Sequence, residues 1–258
     1  VNPTLGSPVV FSPSSKATST IDYFFSDNED YNISKSSSGD LQLEYPPNYY
    51  YYYGSAGNQT TQGYFYTDSS HTNKVLDSSG NAITKLSDAV NIIHNERIIY
   101  LDSEYNLYSG NESIVVPSGK SLTIKKNFTV ARAMINAKNN CSIKGETGSN
   151  LVIDGAGVAN SGEGGAFWAG TSGKSLSLEN ITIQNCSSLN GAGIYIENSV
   201  SATIKNVEIV NNESSRSASN SSDCRGTGIC NKGGGTVDVI GCSIHGNTAS
   251  NINTSFFS

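Results

Sequence analysis

The feature that most constrains this fold is an internal repeat of short apolar segments in the C-terminal half of the chain. Segment 176–186 (LSLENITIQNC) is matched by 202–212 (ATIKNVEIVNN) and by 237–247 (VDVIGCSIHGN). Each copy alternates apolar and polar residues, breaks at Asn or Gly, and resumes with two more apolar positions. Equivalent positions lie 26 residues apart from Ile181 to Val207, and 35 residues apart from Val207 to Cys242. The Ser-rich segment 214–223 accounts for the longer spacing as an inserted loop.

A glycine-rich element separates the copies. It occurs as GGAF at 164–167, as GAGI at 191–194 and as GTGI at 226–229. Each period therefore contains three short strands and no helix, and one period alone cannot bury its apolar face. Stacked repeats about 4.8 Å apart can do so, which predicts a parallel β-solenoid.

In such a stack, apolar residues of successive repeats form ladders that point inward. We expect one ladder from Cys141, Ile181, Val207 and Cys242, and a second from Ile143, Ile183, Ile209 and Ile244. Cys141 and Cys242 should then be buried thiols. Asn and Gly should occupy the corners, because both tolerate left-handed backbone conformations.

The residues from Thr84 to about Asn95 predict a short amphipathic helix before the repeats. Leu86, Ala89, Val90 and Ile93 form one apolar stripe, and Thr84 or Ser87 is a candidate N-cap. This helix is expected to cap the first repeat. The predicted organisation is an N-terminal region 1–83, irregular or β, followed by a capping helix and repeats over 84–258.

The N-terminal region is rich in Ser and Asn and contains a conspicuous tyrosine run from Tyr45 to Tyr53. Its stretches 21–25 and 41–43 are typical of strands. The run is open to two interpretations: a sugar-binding or adhesive patch, or a surface loop packed over neighbouring strands.

The composition excludes several other classes of protein. Charged residues make up 15% of the chain, against roughly 25% in an ordinary soluble domain, and Ser, Asn and Gly replace them, which disfavours helices. The net charge of −6, with 14 Tyr, argues against disorder and against nucleic acid as a partner. No apolar run is long enough to be a transmembrane helix. The chain starts at Val1 without a signal peptide, which indicates a processed chain or a fragment.

The cysteines and histidines do not have metal-site spacing, so we predict no metal or cofactor. Cys224 and Cys230 flank a glycine-rich corner, and an oxidising compartment would allow a local disulfide between them. The cluster 27–30 (DNED) lacks the glycine and spacing of a calcium loop, which favours a solvated turn.

The repeat motifs resemble those of a known family. The segment Gly164-Gly165-Ala166-Phe167 and the Gly-x-Gly-Ile segments look like the GGA[ILV] motif of polymorphic-membrane-protein repeats. The Ile-x-x-Asn at 209–212 and 244–247 is similar to the Phe-x-x-Asn half of that motif. The resemblance covers about 85–247 and implies a right-handed parallel β-helix, as in bacterial surface adhesins and autotransporter passenger regions.

An enzyme of the β-helix class is the alternative, either a polysaccharide lyase or a glycoside hydrolase. The turn Ile153-Asp154-Gly155-Ala156-Gly157 is similar to a structural turn of polygalacturonases. The paired carboxylates that such hydrolysis needs are missing from the repeats. Two pairs could be nominated for lyase chemistry, Lys205 with Glu208 and Arg225 with Asp223. Both are equally typical of ordinary ion pairs exposed to solvent.

We therefore predict an extracellular or cell-surface β-helix protein that acts by binding or by structure, and we assign no catalytic residue. The expected partners are a host-surface or glycan ligand, or further copies assembled through the terminal repeat. The family resemblance implies that the full precursor is anchored in the outer membrane.

Overall fold

The computed structural model describes residues 9–11, 32–35, 41–44, 49–54, 63–77, 79–91, 96–107, 110–129, 133–159, 162–215 and 226–250. The chain divides into two compact units, Val1–Asn48 and Tyr49–Ser258. The described part is mostly β, with parallel sheets and little helix. None of the described residues forms a helix long and apolar enough to span a membrane.

The first unit contains one antiparallel sheet. Its strands are β1 (Val9–Phe11), β2 (Asn32–Lys35) and β3 (Leu41–Glu44). Strand β3 lies in the middle, with Leu43 opposite Val9 on one side and Ile33 on the other. The prediction of a strand at 41–43 is confirmed, whereas the expected strand at 21–25 lies outside the described residues.

The described residues of the second unit form four sheets, numbered I to IV here, and one short helix. Sheet I comprises β7 (Tyr105–Asn106), β10 (Ile135–Asn136), β13 (Phe167–Ala169), β17 (Ile194–Ile196) and β21 (Ile229–Asn231). Sheet II comprises β8 (Glu112–Val116), β11 (Cys141–Gly145), β14 (Ser175–Glu179), β18 (Ser201–Lys205) and β22 (Val237–Ile240). Both sheets are parallel throughout, and the order of their strands in space is their order in the chain.

Sheet III is the largest. In chain order it comprises β4 (Tyr49–Tyr53), β5 (Tyr64–Tyr66), β6 (Glu96–Leu101), β9 (Ser121–Lys126), β12 (Asn150–Asp154), β15 (Thr182–Gln184), β19 (Glu208–Val210) and β23 (Ser243–His245). Its strands are parallel except β5, which is antiparallel to β4 at one edge. Sheet IV is parallel and comprises β16 (Ser187–Ser188), β20 (Glu213–Ser214) and β24 (Thr248–Ala249).

From β13 onward the chain visits sheets I, II, III and IV in the same order three times. Each of these repeats therefore has four short strands, so the expected number of three per period is wrong. Ile183 lies opposite Ile209, and Ile209 opposite Ile244, so pairing in sheet III follows the predicted spacings of 26 and 35 residues. Ile183 and Ile209 are fully buried, which confirms the inward position of this part of the predicted ladder.

The N-terminal end of the predicted ladders is wrong. Cys141 and Ile143 lie opposite Leu176 and Leu178 in sheet II, and the residue opposite Ile183 in sheet III is Ile153. The strands that each repeat contributes to sheets II and III have the same apolar–polar alternation, so the sequence pattern does not distinguish them. Cys141 is buried as expected. Cys242 is only half-buried, because no described strand follows β23 in sheet III.

The expected corners of Asn and Gly are confirmed. Asn180 and Asn206 occupy the left-handed region with φ of 53° and 52°, and Gly241 occupies the equivalent position with φ of 62°. The Asn206 side-chain amide donates to the Asn180 side-chain oxygen at 3.2 Å, and the Asn180 amide donates to the Gly145 carbonyl at 2.8 Å. Amide side chains therefore bond along the stacking direction at this corner.

The glycine-rich segments lie where the backbones of successive repeats are hydrogen-bonded to each other. The Gly165 amide donates to the Gly191 carbonyl, and the Ala166 amide donates to the Ala192 carbonyl. A Cβ on Gly165 would overlap the carbonyl oxygen of Ala192. Gly165 is therefore required here because the backbones leave no room for a side chain.

The Asn of each Ile-x-x-Asn segment faces the interior and bonds to backbone. Asn212 is fully buried, and its side-chain oxygen accepts from the Cys186 amide at 2.9 Å. Its side-chain amide donates to the Ile183 carbonyl at 3.2 Å and to the Asn247 side-chain oxygen at 2.9 Å. Asn247 repeats this role by donating to the Ile209 carbonyl at 2.8 Å.

The predicted helix is present as α1 (Leu86–Asn91), shorter than expected. Leu86, Ala89 and Val90 are buried as the apolar stripe predicts, whereas Ile93 lies outside the described residues. Helix α1 packs against β8, the edge strand of sheet II.

Residues distant in sequence cap the first turn of α1. The Leu86 amide donates to the Tyr105 hydroxyl at 2.8 Å, and the Ser87 amide donates to the Glu112 carboxylate at 2.7 Å. The Tyr105 hydroxyl donates to the same carboxylate. Capping by β7 and β8 ties the helix to the sheets that it covers.

Candidate functional site

The tyrosine run contributes a strand to sheet III, so its interpretation as a loop is wrong for residues 49–53. Exposure alternates along β4: Tyr50 and Tyr52 are 5% and 1% exposed, and Tyr49 and Tyr53 are 43% and 38% exposed. Successive side chains of a strand point to opposite faces, so the run has an inner and an outer half. Residues 45–48 lie outside the described residues.

The inner half belongs to the core, and its polar atoms are used there. The Tyr52 hydroxyl accepts a hydrogen bond from the Gly63 amide at 2.9 Å, and its ring meets that of Tyr105 edge-on at 4.8 Å. Burial raises the pKa of Tyr52 to about 12. This side of the run is structural.

The outer half forms a surface that we call the tyrosine face, made of Tyr49, Tyr51, Tyr53, Tyr64 and Tyr100. The rings of Tyr51 and Tyr100 stack at 5.2 Å with an interplanar angle of 16°. Tyr49 meets them edge-on, at 5.6 Å from Tyr51 and 6.5 Å from Tyr100. No hydroxyl of these five tyrosines hydrogen-bonds to another residue in the part of the chain that the structure describes. These hydroxyls are thus available to a ligand.

A histidine and a carboxylate border the tyrosine face. The His71 ring stacks on Tyr53 at 4.3 Å, and its Nε2 lies 2.7 Å from Asp102 Oδ2. The Asn127 side-chain amide donates to Asp102 Oδ1 at 2.7 Å. Asp102 is therefore held in place from two sides, and its side chain is only 11% exposed.

Two further charged residues flank the tyrosine face. Asp68 accepts hydrogen bonds from the Ser70 hydroxyl and the Asn73 amide, and these bonds lower its pKa to about 2. Lys74 Nζ lies 3.6 Å above the ring of Tyr64. The face thus combines aromatic rings, free hydroxyls and fixed ionic groups.

The nearby carboxylates influence the rings. The pKa of Tyr51 is raised by desolvation first, then by Tyr49 and Tyr100, and further by the negative charges of Asp102 and Asp68. Lys125 lies opposite Tyr100 in sheet III, so the surroundings of the face carry charges of both signs.

The residues nominated for lyase chemistry do not form the nominated pair. Lys205 Nζ lies 3.0 Å from Glu179 Oε1, and Lys144 Nζ lies 3.4 Å from the other oxygen of Glu179. Glu208 instead lies 3.2 Å from Nε2 of His245. No ion pair joins Lys205 to Glu208, because they belong to sheets II and III respectively. The alternative pair, Arg225 and Asp223, lies outside the described residues.

Asp154 has the structural role that its turn motif implies. Its Oδ1 accepts from the Ala156 amide at 2.8 Å and from the Asn185 side chain at 3.2 Å. Ala156 has φ of 55° and Gly157 has φ of 66°, so the carboxylate stabilises a left-handed turn.

The other sequence candidates add no second site. Cys230 is fully buried on β21, and Cys224 lies outside the described residues, so the disulfide stays a prediction. The acidic cluster 27–30 also lies outside them. Within the described ranges, no group of three or more His, Cys, Asp or Glu is placed to hold a metal ion.

Sequence reasoning identified the tyrosine run but missed its border. Tyr100 has a local signal, because it alternates with buried Ile99 and Leu101 on β6. His71 and Asp102 have none, since 31 residues separate them and only the pairing of β4 with β6 brings them together. Comparisons with protein-family models, with curated proteins and with solved structures gave no match.

Proposed function

We propose that this chain is a right-handed parallel β-helix protein of the cell surface or extracellular space that acts by binding, without catalysis. The fixed order in which the chain visits sheets I to IV supports the β-helix. So do the parallel registers, each of which pairs a strand with its equivalent one repeat later.

The observation that carries the binding function is the contrast between the two faces of β4. The hydroxyl of Tyr52 is hydrogen-bonded in the core, whereas the outward hydroxyls of Tyr49, Tyr51 and Tyr53 meet no partner among the described residues. Aromatic residues with available polar groups are typical of binding surfaces, because a rigid ring gives contact area at little entropic cost.

The resemblance to polymorphic-membrane-protein repeats supports a surface location and an adhesin-like function. Both halves of the motif have a physical reason in this chain: Gly165 permits close approach, and Asn212 bonds to backbone in the interior. We propose a host-surface or glycan ligand, and an outer-membrane anchor in the full precursor.

The binding and enzymatic alternatives are separated by a turnover assay. We expect no release of reducing ends and no unsaturated products from polygalacturonate or other acidic glycans. Turnover that is lost in K205A or R225A would overturn the proposal. Surface location is tested by labelling intact cells that express the full precursor with an antibody against this chain, and labelling only after permeabilisation would contradict it.

A further inference from the structure

We infer that the tyrosine face binds a neutral glycan chain. This inference rests on the proposed function, since it names the ligand class of the same binding protein. The ligand must fit three properties of the face: exposed aromatic surface, unused hydroxyls, and carboxylates that are fixed in place.

The tyrosine face is large enough to contact several sugar rings. Its tyrosines come from β5, β4 and β6, so it spans about 10 Å across the strands at the usual spacing of about 4.8 Å. Tyr49 and Tyr53 are four residues apart on β4, which gives about 13 Å along the strand. An area of this size accommodates a few sugar rings rather than a single small molecule.

The chemical groups of the tyrosine face match those of a sugar ring. A pyranose ring has C–H groups that pack on aromatic carbon, together with hydroxyls that donate and accept hydrogen bonds around its rim. The face offers partly exposed rings of Tyr49 and Tyr53 beside phenolic hydroxyls that have no partner among the described residues and can donate and accept hydrogen bonds. An apolar peptide would leave these hydroxyls desolvated without partners, which is unfavourable.

The charged residues beside the tyrosine face favour a ligand without charge. Asp68 and Asp102 lie by the face, and their negative charges act on Tyr51. Each Asp102 carboxylate oxygen has one protein donor and a free lone pair that can accept from a sugar hydroxyl. Lys74 over Tyr64 and Lys125 opposite Tyr100 balance these carboxylates, so the face has no excess of positive charge to select an anionic glycan such as a polyuronate, and a neutral glycan fits better.

A quaternary ammonium is the other ligand that aromatic rings and carboxylates can bind, usually in a cage of separated rings. Here Tyr51 and Tyr100 stack directly on each other, and Tyr49 packs its edge against both. One face of Tyr53 is covered by His71, and Lys74 lies over Tyr64. These rings do not enclose a cation, and the Lys74 ammonium would compete with one.

Affinity electrophoresis of the full chain tests the inference. The gels contain a soluble mixed-linkage β-glucan, a galactomannan or polygalacturonate, and we expect at least one neutral polysaccharide to retard migration and polygalacturonate not to. The double variant Y49A/Y53A should weaken binding about tenfold or more, because it removes the two most exposed rings of β4. The variant Y100F keeps the ring and removes one hydroxyl, and should weaken binding by about threefold to tenfold.

The matched control is V115A, which shortens a side chain that is 41% exposed on sheet II, away from the face. It should bind like the wild type. The circular dichroism spectrum of each variant is compared with that of the wild type to check folding. If the double variant does not fold, the comparison of Y100F with the wild type tests the inference.

Each alternative outcome has a separate meaning. Retardation by polygalacturonate only, or by no polysaccharide, overturns the inference but leaves the proposed binding function, which host-cell adhesion tests independently. If Y100F and a folded Y49A/Y53A variant both bind the polysaccharide as strongly as the wild type does, the ligand does not bind at the tyrosine face. Competition by tetramethylammonium instead of neutral oligosaccharide would identify a cation site. Depolymerisation of any probe overturns the proposed function itself.

Discussion

Replacing Asn212 by Ala tests whether the buried asparagine of the Ile-x-x-Asn segment holds successive repeats together. The Asn212 side chain makes three hydrogen bonds, to the Cys186 amide, the Ile183 carbonyl and the Asn247 side chain. The variant removes all three from a position with no exposed surface.

The expected cost follows from what each group loses. The Cys186 amide loses its acceptor, and an unsatisfied buried donor costs about 1–3 kcal/mol. The missing amide also leaves a small cavity, which adds about 1 kcal/mol. The Asn247 side-chain oxygen keeps its bond to the Asn212 backbone amide at 3.0 Å, so it adds little. N212A should therefore lower the free energy of unfolding by about 2–4 kcal/mol.

Denaturant unfolding followed by circular dichroism measures the change in the free energy of unfolding. Hydrogen exchange at the Cys186 amide measures how much more often that amide opens to solvent. A loss of about 2 kcal/mol corresponds to roughly 30-fold faster exchange where opening is local. N247A removes the equivalent, half-exposed amide and should cost about half as much, whereas T203A, on the exposed face of β18, should cost less than about 0.5 kcal/mol. A loss below about 0.5 kcal/mol in N212A, with unchanged exchange at Cys186, would refute the reasoning.

Three further predictions concern the described core. Burial raises the pKa of Glu112 above its ordinary value of 4.5. The contribution of Glu112 to the free energy of unfolding is therefore greatest below about pH 4.5 and is lost as the pH rises through the raised pKa. E112Q should flatten the dependence of stability on pH in that range, and an unchanged slope would contradict this. G165A should cost about 2–3 kcal/mol in denaturant unfolding because its Cβ overlaps the Ala192 carbonyl oxygen, whereas G234A, with its nearest atom 3.9 Å away, should change stability by less than about 0.5 kcal/mol. K126M should raise the thermal midpoint of unfolding and add about 1–3 kcal/mol to the free energy of unfolding, because the buried Lys126 ammonium has no hydrogen-bond partner within the described ranges. A lower midpoint would show that other groups compensate the charge of Lys126.

The repeat spacing could be predicted from the sequence because equivalent positions of successive repeats require the same type of residue. Gly165 is dictated by a close approach of backbones, and Asn180 by a left-handed corner. The assignment of Cys141 and Ile143 to a sheet was not readable, since adjacent strands alternate in the same way. Only the register, with Cys141 opposite Leu176, decides between them.

Only part of the candidate site could be predicted from the sequence, for a different reason. The run from Tyr49 to Tyr53 is conspicuous, but a sequence of identical residues has no apolar–polar alternation that separates its two faces. The separation comes from pairing: β6 lies beside β4 and places Tyr100 next to Tyr51. It also brings Asp102, which follows β6, to His71.

The identical residues of β4 also explain why one strand can serve two purposes. Inside, a tyrosine fills as much volume as a core requires, and its hydroxyl finds a bond, as Tyr52 does with the Gly63 amide. Outside, the same side chain stacks on its neighbours, as Tyr51 does on Tyr100, and its hydroxyl is left to solvent. Stability alone accounts for the inner tyrosines. It does not account for the outer ones, because a Thr or Lys suits an exposed strand position without placing aromatic surface in water. A binding role supplies the missing reason for the outer tyrosines, and removing their hydroxyls tests that role without disturbing the inner half.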